Sequence, residues 1–149
     1  MGVSLKCQYA LRALFVLAQR EGEGFIRIPE IAEEQDIPPR YLENIFNQMR
    51  QGGFVESRRG KVGGFFLARP ARDISVGDIV RFIEGPMHPT NCQADTSASA
   101  CRFLGKCAFK RLWDDAEKAL ENVYDNTSLK DLVEEEKRLS RQVPHDYSI

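Results

Sequence analysis

Three of the four cysteines in this 149-residue chain lie in one short polar segment, NCQADTSASACRFLGKC at residues 91–107. Cys92, Cys101 and Cys107 follow the spacing C-x8-C-x5-C, whereas Cys7 lies near the start of the chain. Thiolates are the preferred ligands of iron in iron–sulfur clusters and also bind zinc, and a loop can bring three of them together where a regular element cannot. The segment is therefore a candidate metal site or thiol switch.

The first residues and the apolar runs predict a cytoplasmic protein. MGVSLKCQYALRALFVLAQR lacks the layout of a signal peptide, and ALFVLA at 13–18 is far too short to span a membrane. Because cytoplasmic thiols are mostly kept reduced, clustered cysteines there more commonly bind metal or sense redox state than form structural disulfides. The length suits one globular domain, or a small domain with an appendage.

Charge is distributed unevenly along the chain, although the net charge is only −1. Residues 40–72 hold seven basic and two acidic side chains, a net of +5, and residues 114–137 hold nine acidic and three basic ones, a net of −6. The basic part is compatible with a phosphate-binding surface. The alternative is two solvated faces that differ by chance.

The first half of the chain predicts a helix-turn-helix. Residues 8–20 form an apolar helix that should be largely buried, and Pro29 can begin a second, short helix. A third helix follows the prolines of DIPPR (36–40), with an apolar stripe that includes Tyr41 and a polar outer face. QGG at 51–53 ends it, with either glycine able to take the left-handed conformation. Such a helix pair is the helix-turn-helix layout, although amphipathic pairs without DNA binding are also common.

A β-hairpin is predicted directly after this helix pair. FVESR (54–58) and FFLAR (65–69) form its strands, and RGKVGG forms a glycine-rich turn between them. In this order the hairpin is a wing, whose basic tip can reach phosphates or the minor groove, and the alternative is an exposed hairpin kept soluble by its charge. The predicted DNA-binding residues of the third helix and the wing are Pro39, Arg40, Tyr41, Glu43, Asn44, Asn47, Arg58, Arg59 and Lys61.

Two further helices are predicted on either side of the cysteine segment. Ser75 followed by Asp78 resembles a capping box for a helix that ends at Gly85, with Phe82 among its buried residues. Residues 107–127 form a helix with a heptad-like apolar seam. The members of this seam are Phe109, Leu112, Ala116, Ala119 and Val123. Dimerisation through the seam is favoured, because a winged helix that reads one half-site gains from a two-fold partner, and the alternative is packing on its own domain.

The chain resembles the Rrf2 family of bacterial winged-helix transcription regulators in three runs, YALRALFVLA, PEIAEEQDIPPRYLENIFNQMRQGGFVESRRGKVGGFFLARP and ISVGDIVRFIEGP. The resemblance covers residues 3–133, nearly the whole chain. It implies a mainly α fold with a small β-hairpin wing, in which a winged helix-turn-helix domain is joined to a long dimerisation helix. It also implies a homodimer that binds double-stranded DNA at a palindromic operator, as a repressor.

The resemblance divides the chain into four parts. Residues 1–86 are expected to form the winged helix-turn-helix DNA-binding domain, and residues 87–107 the cysteine-bearing sensor loop. Residues 108–140 are expected to hold the dimerisation helix and a capped C-terminal helix, followed by a frayed tail at 141–149.

The cysteines place the chain in the branch of the family that carries three thiols in this loop. The resemblance implies that Cys92, Cys101 and Cys107 bind an iron–sulfur cluster that controls operator affinity, with [2Fe–2S] favoured over [4Fe–4S]. The spacing between the first two cysteines is longer here than in those members. A longer loop costs little entropy, so the cluster is still expected.

The residue expected as fourth ligand departs from the family pattern. Lys110 stands where one branch has a histidine, and Gln8 stands where another has an aspartate supplied by the partner subunit. Cys7, next to Gln8, is therefore predicted as a metal ligand supplied across the dimer, and the alternative is a small buried residue at the helix start. His88 is a second candidate.

Other functions are compatible with parts of the pattern. The cysteines suit a zinc site, with His88 completing a Cys3His set, or a thiol switch, although their spacing is not the CxxC of structural zinc sites. A protein-interaction module without specific DNA binding is a further alternative. Neither an enzyme nor a membrane protein is expected, because the sequence has no phosphate-binding glycine loop, nucleophile motif or histidine-rich constellation, and no long apolar run.

Overall fold

A computed structural model describes residues 2–61, 63–94 and 101–142, which fold into helices and one β-hairpin. Within these ranges the elements are α1 (Leu5–Gln19), α2 (Ile28–Gln35), α3 (Pro39–Gln51), β1 (Val55–Arg58), β2 (Gly64–Leu67), α4 (Val76–Glu84), α5 (Asn91–Ala94), α6 (Lys110–Asp125) and α7 (Leu129–Gln142). A short 3-10 turn at Ala71–Asp73 precedes α4. The order from α1 to α4 is that of a winged helix-turn-helix, which confirms the predicted mainly α fold with a β-hairpin wing. In the described ranges, no helix combines the length and apolar character needed to cross a bilayer.

α1 is the central helix of the fold. It begins at Leu5 rather than at residue 8, because the Ser4 Oγ caps it by accepting a hydrogen bond from the Cys7 N–H at 3.2 Å. It contacts α2, α3, α4, α7 and β2. Its buried residues are Cys7, Ala10, Ala13, Leu14, Val16, Leu17 and Ala18. The prediction that this helix is largely buried is confirmed.

α2 and α3 form the helix-turn-helix. Asp36 follows α2 in the left-handed conformation, with φ of 50°, and the Ile37 N–H then donates to the Ala32 carbonyl at 3.0 Å. Pro39 lies in the first turn of α3. A backbone N–H at that position would have no hydrogen-bond partner within the helix, so proline, which lacks it, fits there. Gly53, with φ of 73°, takes the predicted left-handed conformation after α3. The buried residues of α3 are Leu42, Ile45, Phe46 and Met49.

The wing gains a third segment that the sequence did not predict. β1 and β2 pair antiparallel, with Arg58 opposite Gly64 at the end near the tip. Ile26 then joins the hairpin, because its N–H donates to the Phe65 carbonyl at 2.9 Å and its carbonyl accepts from the Phe65 N–H at 2.8 Å. This close approach requires the glycine at position 64, where a Cβ would lie 2.5 Å from the Ile26 carbonyl oxygen. The pairing fixes the start of α2 against the wing.

α4 and α7 complete the core. The predicted capping box is confirmed, since the Asp78 N–H donates to the Ser75 Oγ at 3.0 Å and the Ser75 N–H donates to the Asp78 Oδ2 at 3.2 Å. α7 buries Leu129 in the same core as α1, so the C-terminal helix packs with the winged domain. The prediction that Phe82 is buried is wrong. Its side chain is 44% exposed because it lies at the rim of α4, over the Phe54 ring with a centroid separation of 5.3 Å.

Candidate DNA interface and cysteine segment

The outer face of α3 carries most of the predicted DNA-binding residues. They are all exposed and comprise Pro39, Arg40, Tyr41, Glu43, Asn44 and Asn47. The prediction that Tyr41 belongs to the apolar stripe of this helix is wrong. Its side chain is 50% exposed and packs edge-on against Tyr9, with ring centroids 5.8 Å apart. Because the apolar stripe of α3 is buried, its polar face can present hydrogen-bond donors and acceptors to base edges in a major groove.

The tip of the wing carries the remaining predicted cations. Arg58, Arg59 and Lys61 are exposed there. The Arg58 guanidinium lies 5.5 Å from the Phe25 ring centroid, and Phe25 packs edge-on against Phe66 at 4.9 Å. The wing tip and the last turn of α3 border one concavity of about 720 Å³, so the two predicted DNA-binding elements are neighbours.

Two cationic residues outside the predicted set line the same concavity, Arg27 and Arg50. Arg50 follows Asn47 by three residues on the exposed face of α3, and this helical spacing could have revealed it. Arg27 precedes α2 and lies near the wing only through the pairing of Ile26 with Phe65. No local pattern in the sequence indicates that pairing.

The cysteine-bearing segment follows α4 and includes the short helix α5. Cys92 and Cys101 are exposed, Cys107 is half-buried, and residues 95–100 lie outside the described residues. The Cys92 Sγ lies 3.0 Å from the Thr90 Oγ1. Among the residues that the structure describes, no three His, Cys, Asp or Glu side chains gather closely enough to hold a metal ion. The loop thiols are donors of the right chemical type for a cluster or zinc, and their role as ligands stays a prediction.

Cys7 is fully buried in a small apolar cluster with Val76, Val80 and Met87. Burial, together with the charge of the Glu84 carboxylate and a hydrogen bond to it, raises the pKa of the Cys7 thiol to about 11. This environment favours the alternative interpretation, in which Cys7 is a core residue of its own chain. Its role as a metal ligand across a dimer stays a prediction.

Two polar side-chain contacts lie near the ends of the cysteine segment. The His88 Nδ1 lies 3.0 Å from the Glu117 Oε1, which ties the start of the segment to α6. The Lys110 Nζ donates to the Asp114 Oδ2 at 2.6 Å. The hydrogen bond to Asp114 raises the pKa of Lys110, so its amine stays protonated and has no lone pair for a metal. His88 as a second candidate ligand stays a prediction.

The apolar seam of α6 lies on a face that its own domain does not cover. Phe109, Leu112 and Val123 are 61%, 54% and 59% exposed, and every residue of α6 is exposed or half-buried. The half-buried Leu120 and Tyr124, in contrast, pack against the small cluster around Cys7. An uncovered apolar stripe of this kind marks an interaction surface.

Known proteins resemble the chain over nearly its whole length. Residues 3–135 match the family Rrf2, described as "Iron-dependent Transcriptional regulator". The HTH-type transcriptional regulator IscR of Cereibacter sphaeroides is 33% identical over 146 residues, which cover 97% of this chain and 94% of that protein. Among solved structures, CymR, the global cysteine regulator of B. subtilis, superposes with a TM-score of 0.76 at 31% identity, covering 90% of this chain and 97% of that one. IscR of T. potens superposes with a TM-score of 0.74 at 35% identity, covering 99% of this chain and 95% of that one.

We expect Cys7 to resist alkylation in the folded, metal-free protein while Cys92 and Cys101 react. Alkylating reagents attack the thiolate, and a pKa of about 11 lowers the thiolate fraction of Cys7 roughly 100-fold at neutral pH, in addition to the steric block of burial. Labelling with iodoacetamide, followed by peptide mass mapping, measures each rate. All four cysteines should react similarly in denaturant, and native Cys7 reacting as fast as Cys92 would contradict its place in the core.

Proposed function

The chain belongs to the Rrf2 family of transcriptional regulators, and from this premise we propose that it is a homodimeric, cytoplasmic repressor controlled by an iron–sulfur cluster. Like its named relatives, which are transcriptional regulators, it is a DNA-binding protein and not an enzyme. The observation that carries the proposal is the position of the cysteine segment. It lies between α4, which packs on α1 within the winged domain, and α6, whose apolar seam is uncovered.

The proposed functions of the segments follow the order of the elements along the chain. We assign residues 1–86 to DNA binding and residues 87–107 to sensing. Residues 108–140 supply the dimerisation helix and α7, and α7 also packs on α1. The tail at 141–149 lies, beyond residue 142, outside the described residues.

The DNA-binding part of the proposal rests on two neighbouring surfaces. Arg40, Asn44 and Asn47 on α3 have the side-chain geometry that suits base edges in a major groove. Arg59 and Lys61 at the wing tip suit phosphates or a narrow A·T-rich minor groove. Because one packed core holds α3 and the wing together, both elements meet the same half-site.

A second copy of the chain is the proposed cover for the α6 seam. The small residues Ala116 and Ala119 lie between the larger apolar members of the seam and are also exposed, which allows two such helices to approach closely. Ion pairs between residues four apart, such as Lys110 with Asp114 and Arg111 with Asp115, lie along the same helix. A two-fold axis through the seam sets two winged domains on the half-sites of a palindromic operator.

The three loop thiols fit an iron–sulfur cluster by chemical type. Cys92, Cys101 and Cys107 would hold the cluster through their thiolates, and the cluster would supply a redox-sensitive centre there. Cys92 lies in α5, and Cys107 immediately precedes the start of α6. Thiols held at one centre therefore fix the path of the chain from α4 to α6. Met87 is buried and His88 contacts Glu117, so the start of the segment is anchored whether or not the thiols are held.

Movement at the start of α6 reaches the DNA-binding surface through α4. Arg81 of α4 pairs with Asp125 at the far end of α6, and α4 contacts α1. Release of Cys107 from a bound cluster would therefore alter the angle between the two winged domains of a dimer rather than the fold of either domain. Operator affinity would then change, because two half-sites require a fixed spacing and the population would shift between DNA-competent and DNA-incompetent dimers.

Protein purified without oxygen should absorb broadly in the visible range and contain iron and acid-labile sulfide. Cys92→Ala should lose the absorption and the iron, because the loop then keeps only two thiols. Cys7→Ala is the matched cysteine variant. An unchanged spectrum assigns Cys7 to the core, and a changed spectrum makes it the fourth ligand.

Two results would contradict control by a cluster. A colourless protein with one zinc per chain would show that the loop thiols hold zinc. A colourless protein that stayed free of metal after anaerobic reconstitution would leave a winged-helix regulator whose exposed thiols act alone.

Leu112→Asp should convert a dimer of twice 17.0 kDa into a monomer in sedimentation velocity. A carboxylate buried in the middle of an apolar seam has no partner, so we expect dimerisation to weaken roughly 100-fold or more. Leu139→Asp is the matched control, because Leu139 is 49% exposed on α7, outside the seam, and this variant should stay dimeric. A wild-type protein that sediments as a monomer would contradict the proposed dimer.

A further inference from the structure

The charged side chains among the described residues that line the concavity between the wing and α3 are all cationic. The charged residues that line it are Arg27, Arg50, Arg58, Arg59 and Lys61. No acidic side chain is among the described residues of its lining. Like charges around one concavity repel each other unless an anion lies between them. The site is therefore electrostatically suited to an anion.

The cations reach this place from three separate elements that the fold holds in register. Arg27 directly follows Ile26, whose two hydrogen bonds to Phe65 fix it to the wing. Arg50 extends from the last turn of α3, and its Nη1 donates to the Ser57 Oγ of β1 at 3.3 Å. Backbone pairing thus fixes the main chain next to Arg27, and the hydrogen bond to Ser57 holds the Arg50 guanidinium, before any ligand arrives.

Apolar side chains form part of the wall. Ile28, Pro29 and Phe65 line the concavity, and Ile28 and Phe65 are half-buried. These side chains cannot donate a hydrogen bond to an anion, so the arginines and the lysine supply the attraction. An arginine guanidinium can donate two parallel hydrogen bonds to two oxygens of one phosphate, whereas a lysine ammonium cannot.

The position of the concavity indicates which phosphate groups could supply the anion. If α3 lies in a major groove and the wing in the adjacent minor groove, the sugar–phosphate backbone between these grooves must pass between α3 and the wing. The concavity occupies that gap. We propose that it binds the phosphates of this backbone, with Arg27 and Arg50 as phosphate contacts in addition to the wing tip. This inference rests on the proposed binding of α3 and the wing to DNA.

Phosphate contacts position a protein on DNA and carry no sequence information, whereas base contacts specify the sequence. Arg27 and Arg50 should therefore strengthen binding to every duplex equally. This property separates them from Arg40, Asn44 and Asn47, which the proposed function assigns to base edges.

The test compares the full-length chain with the double variant Arg27→Gln/Arg50→Gln. The probes are a duplex selected by the wild-type protein from a random pool and a shuffled duplex of the same composition, each titrated by fluorescence anisotropy at several salt concentrations. We expect the slope of log K against log salt to fall in magnitude by about 1.8, or about 0.9 for each lost contact. The ratio of affinities for the two duplexes should stay unchanged.

Two control proteins separate charge from folding. Arg27→Lys/Arg50→Lys keeps the charges and should keep the salt slope close to that of the wild type. Arg72→Gln removes an exposed arginine near Asp73, away from the concavity, and should leave the slope unchanged. Thermal unfolding of each variant confirms that it is folded.

An unchanged slope in the Gln variant would overturn the inference, and so would a loss of affinity confined to the selected duplex. Calorimetry with inorganic phosphate tests the other source of this anion. A saturable phosphate site that the Gln variant lacks, together with an unchanged DNA slope, would assign the concavity to a small anion and overturn the proposal. A wild-type protein that binds neither duplex at any salt concentration would instead overturn the proposed function itself, and this inference with it.

Discussion

Burial of α1 is the constraint on which the rest of the structure depends. Removing a side chain of the size of Leu14 from such a core costs about 2–5 kcal/mol, a large part of the total stability of a domain, about 5–15 kcal/mol. Surface ion pairs at the end of α1 contribute far less, since exposed pairs such as Arg20 with Glu30 are worth about 0–1 kcal/mol. Apolar packing on α1 therefore determines where α3, the wing and α4 lie.

The same helix connects the two surfaces that the proposed regulation requires. Near its start, Cys7 packs with Val80 and Met87, next to the cysteine segment. Its later residues share one core with Phe46 of α3 and Val55 of the wing. A change at the cysteine segment can therefore reach the DNA-binding surface through directly packed helices. In the proposed mechanism, the winged domain stays intact and the geometry of the proposed dimer changes.

Most of the helices and the hairpin follow from local patterns, and for that reason the sequence predicted most of the winged-helix fold. Three such patterns involve residues that are close in sequence, so they can be recognised from the sequence alone. They are the apolar spacing in α3, the Ser75–Asp78 capping box and the glycine after α3. Phe82 has the right spacing for a buried residue but lies at the rim, because burial depends on what the neighbouring elements cover.

The candidate site was only partly predictable for the same reason. Exposure of the polar face of α3 and of the wing tip follows from helical and hairpin periodicity. The place of Arg27 depends on the pairing of Ile26 with Phe65, which joins distant parts of the chain. The burial of Cys7 depends on packing against Met87 after α4. The pattern of one sequence carries no information on where a partner chain lies. The α6 seam therefore indicates an uncovered surface but not the geometry of a dimer.

Comparison of operator affinity before and after loss of the metal tests the central claim most directly. One anaerobic sample is titrated with the selected duplex, the metal is then removed with a chelator, and the titration is repeated, with Cys92→Ala treated in parallel. The account predicts that removal changes the affinity of the wild type by roughly tenfold or more, that is about 1.4 kcal/mol, and that Cys92→Ala binds like the depleted wild type throughout. Equal affinity of the loaded, depleted and Cys92→Ala proteins would show that the cysteine segment does not control DNA binding.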